Sequence, residues 1–171
     1  INYLCLCFLS YDASKGGFFN QDGTSCFNYI SDELQDLHDD GLCIAVSWGG
    51  GINQDIPSSD DDLSNIGKIA NDFDAFAKKY GFIDGLDIDF ETSSWKSPDK
   101  TSKETRINNT QFIDQLSEEI KKINQNYVFT ISATASQFSP DCGYGLVGND
   151  QGLGLIDFTH IDGMMLQWYE G

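Results

Sequence analysis

Asp84-Gly85-Leu86-Asp87-Ile88-Asp89-Phe90-Glu91 is the stretch on which the reading of this chain turns. Acids stand at every second position of an apolar run. In a β-strand successive side chains point to opposite faces, so Asp87, Asp89 and Glu91 share one face and Leu86, Ile88 and Phe90 share the other. The apolar face suits packing under helices. The acidic face costs desolvation energy and like-charge repulsion, a combination that folded proteins keep mainly at functional sites. Solvated acids at a frayed strand end would not need the apolar alternation. Clustered carboxylates also suit a hard divalent cation, but neither His38 nor His160 stands at ligand spacing to this run, so neither a metal nor another cofactor is expected.

Outward from this strand, helical and extended patterns alternate. Upstream, Leu63, Ile66, Ile69, Ala70, Phe73, Phe76, Ala77 and Tyr80 recur at helical spacing up to Gly81. The acid-rich loop 53–62 before them suits a helix entry. Leu42–Ser47 is a short apolar run that breaks into Trp48-Gly49-Gly50-Gly51, and Tyr29–Asp40 reads as a helix stopped by Gly41. Ile1–Ser10 is an apolar, aromatic-rich strand followed by a loop at Gly16 and Gly17. Downstream, the stretch to Arg106 is polar and irregular. Phe112, Ile113, Leu116, Ile120 and Ile123 then mark a helix with Glu118 and Lys122 as an i,i+4 pair. Tyr127–Ala133 is a strand, and the glycine-rich stretch 143–154 leads to a last run, Ile161–Tyr169.

Such alternation argues for an α/β fold of parallel strands joined by right-handed crossovers. Five strands fit an open doubly wound sheet or part of a closed eight-stranded barrel, and periodicity does not choose between them. There is no internal repeat or linker. By length the 171 residues are one domain, 40% hydrophobic and 13% aromatic, enough for a substantial core. With 10 Lys plus Arg against 27 Asp plus Glu, the formal charge is -17. That average field repels nucleic acid and suits a neutral polymer. No apolar run approaches the roughly 20 residues needed to span a bilayer, so no membrane is expected as a partner. Of the five cysteines, Cys5, Cys7 and Cys43 lie in strand-like runs; only Cys26 and Cys142 sit in loop-like sequence, and spacing does not decide whether they pair.

The pattern Asp84-x-x-Asp87-x-Asp89-x-Glu91 resembles the signature of the family 18 glycoside hydrolases, the chitinases and their relatives. Ser47-Trp48-Gly49-Gly50 matches that family's Ser-x-Gly-Gly pattern. The first run, ending in Cys7-Phe8, looks like its second strand, and Gln167-Trp168-Tyr169 like the end of its sixth. The resemblance implies an incomplete TIM (β/α)8 barrel, residues 1–171 forming a partial catalytic domain with strands two to six and without the first strand and the last two. It also implies a secreted enzyme, monomeric at full length, although this chain carries no signal peptide. Two departures stand out. Glu170 follows Tyr169 where the family has Asp or Asn, and the tryptophan that the eighth strand supplies is not assignable to Trp48, Trp95 or Trp168.

For this family the substrate's own acetamido oxygen is the nucleophile, so one enzyme acid suffices. The resemblance makes Glu91 the general acid and later base, Asp89 the partner of the acetamido nitrogen, and Asp87 a deeper group sharing a proton with Asp89. Tyr169 would orient the acetamido carbonyl. Gln167, Phe8, Trp48, Gly49 and Gly50 are candidate substrate-binding residues. Gln167 and Tyr169 share parity with Met165, and a glutamine on a barrel interior needs a reason. Phe8 and Trp48 suit sugar stacking and core packing equally, and the glycines shape the floor beside the acids. Asp84, of opposite parity to Asp87, is read as structural. The implied substrates are chitin or another N-acetylglucosamine-containing glycan, with the core of N-linked glycans, or sugar binding without catalysis, as the alternatives.

Overall fold

The computed structural model describes residues 2–20, 30–50, 64–90, 103–134 and 156–167. Glu91, Tyr169, Glu170, Trp95, Trp168, Gly51, Cys26, Cys142, Leu63, loop 53–62 and the stretch 143–154 lie outside the described residues. Six strands form one sheet: β1 (Tyr3–Asp12), β2 (Gly17–Asn20), β3 (Cys43–Gly49), β4 (Gly85–Phe90), β5 (Val128–Thr134) and β6 (Gly163–Gln167). Helix α1 (Ser31–Asp39) lies between β2 and β3, α2 (Ile66–Tyr80) between β3 and β4, and α3 (Lys103–Ile123) between β4 and β5. The spatial order is β2-β1-β3-β4-β5-β6; every pairing is parallel except β1 with β2.

Apolar alternation builds the outer layer. Ile44, Val46 and Trp48 of β3, Leu86, Ile88 and Phe90 of β4, and Phe129, Ile131 and Ala133 of β5 are all buried in one core. The stripe Ile66, Ile69, Ala70, Phe73, Phe76 and Ala77 of α2 joins them, with Phe112, Ile113, Leu116 and Ile120 of α3. Each such large side chain contributes about 1.5–3 kcal/mol on burial. Of the α1 stripe only Leu34 is buried; Ile30 and Leu37 are exposed. The opposite face of the central strands carries Ser47, Asp87, Asp89, Thr130 and Ser132, also buried.

Two observations select the barrel over the open sheet. From β1 onward the strands lie in sequence order, without the reversal that marks a doubly wound sheet. Tyr3 Oη of β1 also lies 2.9 Å from Thr130 Oγ1 of β5, although β3 and β4 separate those strands. Three strand spacings amount to about 14 Å in a flat sheet, too far for a tyrosine and a threonine to meet. The sheet is therefore curled with its polar face concave, an incomplete TIM barrel with its helices outside.

The hairpin strand β2 replaces the loop expected at Gly16 and Gly17. Asp12 accepts the Ser14 N–H at 2.9 Å to start a short 3-10 turn, and the two glycines leave it with φ of +90° and +108°. Tyr11 then pairs with Phe18, whose buried ring packs on Trp48. A four-residue strand is too short to announce itself by periodicity. Helix α3 likewise begins at Lys103, inside the stretch read as irregular to Arg106. At its last turns Lys122 bonds both Glu118 (3.0 Å) and Glu119 (2.7 Å).

A local recurrence fastens the amino-terminal end of the barrel. Ile83-Asp84-Gly85 enters β4 and Ile161-Asp162-Gly163 enters β6. Asp84 Oδ2 accepts the Ile44 N–H at 2.9 Å, with His38 Nε2 at 3.1 Å from Oδ1. Asp162 Oδ2 accepts the Phe129 N–H at 2.8 Å and Lys121 Nζ at 2.6 Å. Each aspartate accepts the amide of the second residue of a neighbouring strand, where the ladder begins. Asp84 is thus structural, as its parity implies.

Candidate active site

The site grows from β4. Register sets Ser47 of β3 and Thr130 of β5 beside Asp87, and Gly49 and Ser132 beside Asp89. Ser47 Oγ donates to Asp87 Oδ2 at 2.8 Å and Thr130 Oγ1 to Asp87 Oδ1 at 2.7 Å. Ser132 Oγ lies 3.1 and 3.0 Å from the two oxygens. Burial pushes the Asp87 carboxyl above the usual range, and the hydroxyls of Thr130, Ser47 and Ser132 and the Cys5 thiol pull against it. A buried acid held by three hydroxyls is placed to accept and return a proton.

Asp89, buried one step toward the carboxyl end of β4, accepts a hydrogen bond from Gln167 Nε2 at 2.5 Å. This joins β6 to β4 across β5, so two expected site residues meet. Gln167 Oε1 is buried and has no partner among the described residues. Met164 and Leu166, of opposite parity to Gln167, are 47% and 59% exposed.

Gly49 ends β3 at the same level and Gly50 follows it. The Gly50 N–H donates to the Asp89 carbonyl at 3.2 Å, and φ is +125° at Gly49 and +91° at Gly50. A Cβ on Gly49 would lie 2.2 Å from the Asp89 carbonyl oxygen, and one on Gly50 would lie 3.1 Å from the Phe8 ring. Phe8 thus rests on the glycine floor. The β1–β3 register shifts between Cys7 and Leu9, which makes Phe8 the extra residue of a bulge; its peptide bond to Cys7 is cis.

Trp48 corrects the sequence reading. Its side chain is 1% exposed and packs edge-on against Phe18 and Phe112 on the helix side of the sheet. It has the parity of Ile44 and Val46, opposite to Ser47, and so is a core residue with no face to offer a sugar.

The sequence reading missed Tyr3, Thr130, Ser132 and the thiols Cys5 and Cys7. Cys5 bears on the Asp87 carboxyl, and Cys7 feels the charges of both Asp87 and Asp89. Thr130 and Ser132 alternate with Phe129, Ile131 and Ala133 as the acids alternate in β4, so their parity was available. Among the described residues no group of three or more His, Cys, Asp or Glu could hold a metal ion.

No protein-family model and no curated protein sequence matches the chain. Solved structures do. A family 18 chitinase from Pseudoalteromonas aurantia superposes with a TM-score of 0.67 at 19% identity, over 99% of this chain and 61% of that one. The fold is that of the family 18 glycoside hydrolase barrel. A fungal endo-beta-N-acetylglucosaminidase of glycosyl hydrolase family 18 gives 0.69 at 17% identity, over 100% of this chain and 57% of that one. Catalytic domain 2 of the Group II chitinase of Ostrinia furnacalis, solved with a chitin oligosaccharide, gives 0.63 at 17%, over 98% and 43%. The chain thus spans between two fifths and about three fifths of these family 18 proteins.

Proposed function

We propose that the chain is part of the catalytic domain of a family 18 glycosidase that cleaves β-1,4-linked N-acetylglucosamine polymers with retention, by substrate assistance. It contributes strands two to six of the barrel. The observation that carries the reading is the 2.5 Å bond from Gln167 to Asp89 over a carboxylate, Asp87, held by three hydroxyls. A glutamine on β6 that turns to an acid on β4 builds a polar grip beside the end of β4. That is where Glu91 follows in sequence and where barrel enzymes carry their chemistry.

In this reading Glu91 protonates the leaving oxygen and later takes a proton from water. Asp89 holds the acetamido nitrogen and stabilises the cyclic oxazolinium ion. Asp87 exchanges a proton with Asp89, so that the row of acids never carries its full charge. Tyr169 orients the acetamido carbonyl, Gln167 steadies Asp89, and Phe8, Gly49 and Gly50 line the floor. The enzyme is secreted and monomeric. No helix among the described residues is long and apolar enough to cross a membrane.

Glu91→Gln in the full-length protein tests the assignment. Hydrolysis of chitin oligomers falls by several orders of magnitude while binding stays measurable, because the change removes the proton donor and keeps its shape. Near-normal turnover would overturn the role of Glu91. Cleavage of a high-mannose glycopeptide in place of chitin would move the substrate to N-linked glycans.

A further inference from the structure

The hydroxyls around Asp87 come from three strands, and one reaches it through a chain. Thr130 Oγ1 has a single proton, committed to Asp87 Oδ1 at 2.7 Å. Its lone pairs then accept from a second donor, and Tyr3 Oη lies 2.9 Å away. With the Thr130 proton spent on Asp87, the Tyr3 hydroxyl is the donor in this contact. Hydrogen bonds in series polarise one another, which makes Thr130 a better donor than an isolated hydroxyl. Ser132 divides its one proton between both carboxylate oxygens at 3.1 and 3.0 Å, so Thr130 is the dedicated donor to Oδ1 as Ser47 is to Oδ2.

We propose that Tyr3 and Thr130 are positioning residues that act in series to hold Asp87 in its charged form, and that they set where the acid limb of the pH–activity profile falls. The activity readout rests on the glycosidase reading; the geometry does not. Among the described residues the titratable groups facing Asp87 are Tyr3, Cys5 and Cys7 from β1 and Asp89 from β4 itself, with Glu91 following in sequence. The residues that β3 and β5 turn to it, Ser47, Thr130 and Ser132, carry no charge, and neither do Met165 and Gln167 of β6. The hydroxyl chain links Asp87 to β1 through Thr130, beside the direct contact of the Cys5 thiol.

The test uses the full-length protein and the variants Thr130→Val, Thr130→Ser and Tyr3→Phe. Losing a donor to a charged acceptor raises proton affinity, so Thr130→Val moves the acid limb of kcat/KM to higher pH by about one unit. Tyr3→Phe moves it the same way by less, Thr130→Ser restores it, and the basic limb stays in place. The Asp87 carboxyl is followed in parallel by carbon NMR, with Asp87→Asn to identify its signal, and its midpoint moves by the same amount. If the wild-type protein cleaves no chitin oligomer, the glycosidase reading fails and the carboxyl titration alone decides the relay. Coincident Asp87 midpoints in wild type and Thr130→Val overturn the proposal. Should Thr130→Val not fold, Tyr3→Phe, which removes one hydroxyl from a partly buried ring, decides by the same comparison.

Discussion

Replacing Gly49 by alanine strikes the joint between β3 and β4 at the level of Asp89. The new Cβ would meet two penalties. At φ +125° an L side chain is strained, by roughly 1–3 kcal/mol. It would also stand 2.2 Å from the Asp89 carbonyl oxygen and 3.0 Å from its carbon, backbone atoms that cannot rotate away. Forcing such strands apart costs roughly 1–3 kcal/mol more. The expected loss is therefore about 4 kcal/mol, a fall in Tm on the order of 10 °C. Gly41→Ala is the matched control, because Gly41 has φ +92° and nothing within 4 Å of its Cβ; it carries only the strain, about 1–2 kcal/mol. The assay is thermal unfolding of the full-length protein and both variants, with kcat measured well below either transition. Gly49→Ala lowers kcat as well, since the carbonyl it displaces belongs to Asp89; Gly41→Ala does not. Equal destabilisation of the two variants would refute the argument from close approach.

Asp114 sits half-buried with its carboxyl pushed up to about 6 by burial, against the Asp157 N–H that bonds it at 2.8 Å. A folded pKa above the unfolded one gives stability that is full below about pH 4 and is lost as pH rises through 6. Asp114→Asn is therefore more stable at pH 7 by on the order of 1 kcal/mol, the full shift of about 3 kcal/mol being discounted for a half-exposed group. It matches wild type at pH 4, whereas parallel melting curves across that range would contradict the shift. Cys7 is exposed with its thiol below the ordinary value through the Cys5 hydrogen bond, whereas the Cys5 and Cys43 thiols lie above it. Limiting iodoacetamide followed by peptide mass mapping labels Cys7 ahead of those two; faster labelling of Cys43 would overturn the ranking.

Much of this architecture is legible in the residues. The alternation Leu86, Ile88, Phe90 against Asp87 and Asp89 gives β4 and its two faces, and the spacing of Phe73, Phe76 and Ala77 gives the buried side of α2. Trp48 was decidable by the same parity, since Ser47 next to it turns inward. Other features are not local. Nothing near Tyr3 says that its hydroxyl meets Thr130, 127 positions away, because that contact exists only once the sheet curls. The β2 hairpin depends on two glycines whose left-handed backbone a pattern of apolar residues does not reveal. Asp84 and Asp162 share the local sequence Ile-Asp-Gly, yet a three-residue recurrence becomes informative only when both are seen to cap a neighbouring strand.

Substrate assistance is the central claim, and the stereochemistry of the first product tests it most directly. The full-length protein is given matched chitin and cellulose oligomers, and fresh product is followed by proton NMR before the anomers equilibrate. The acetamido oxygen attacks the anomeric carbon once and water displaces it once, so two inversions leave a β product from chitin. Cellulose, with a hydroxyl in place of the acetamido group, is left intact. An α product from chitin, or cleavage of cellulose, would contradict the account and require a second enzymic carboxylate as base or nucleophile.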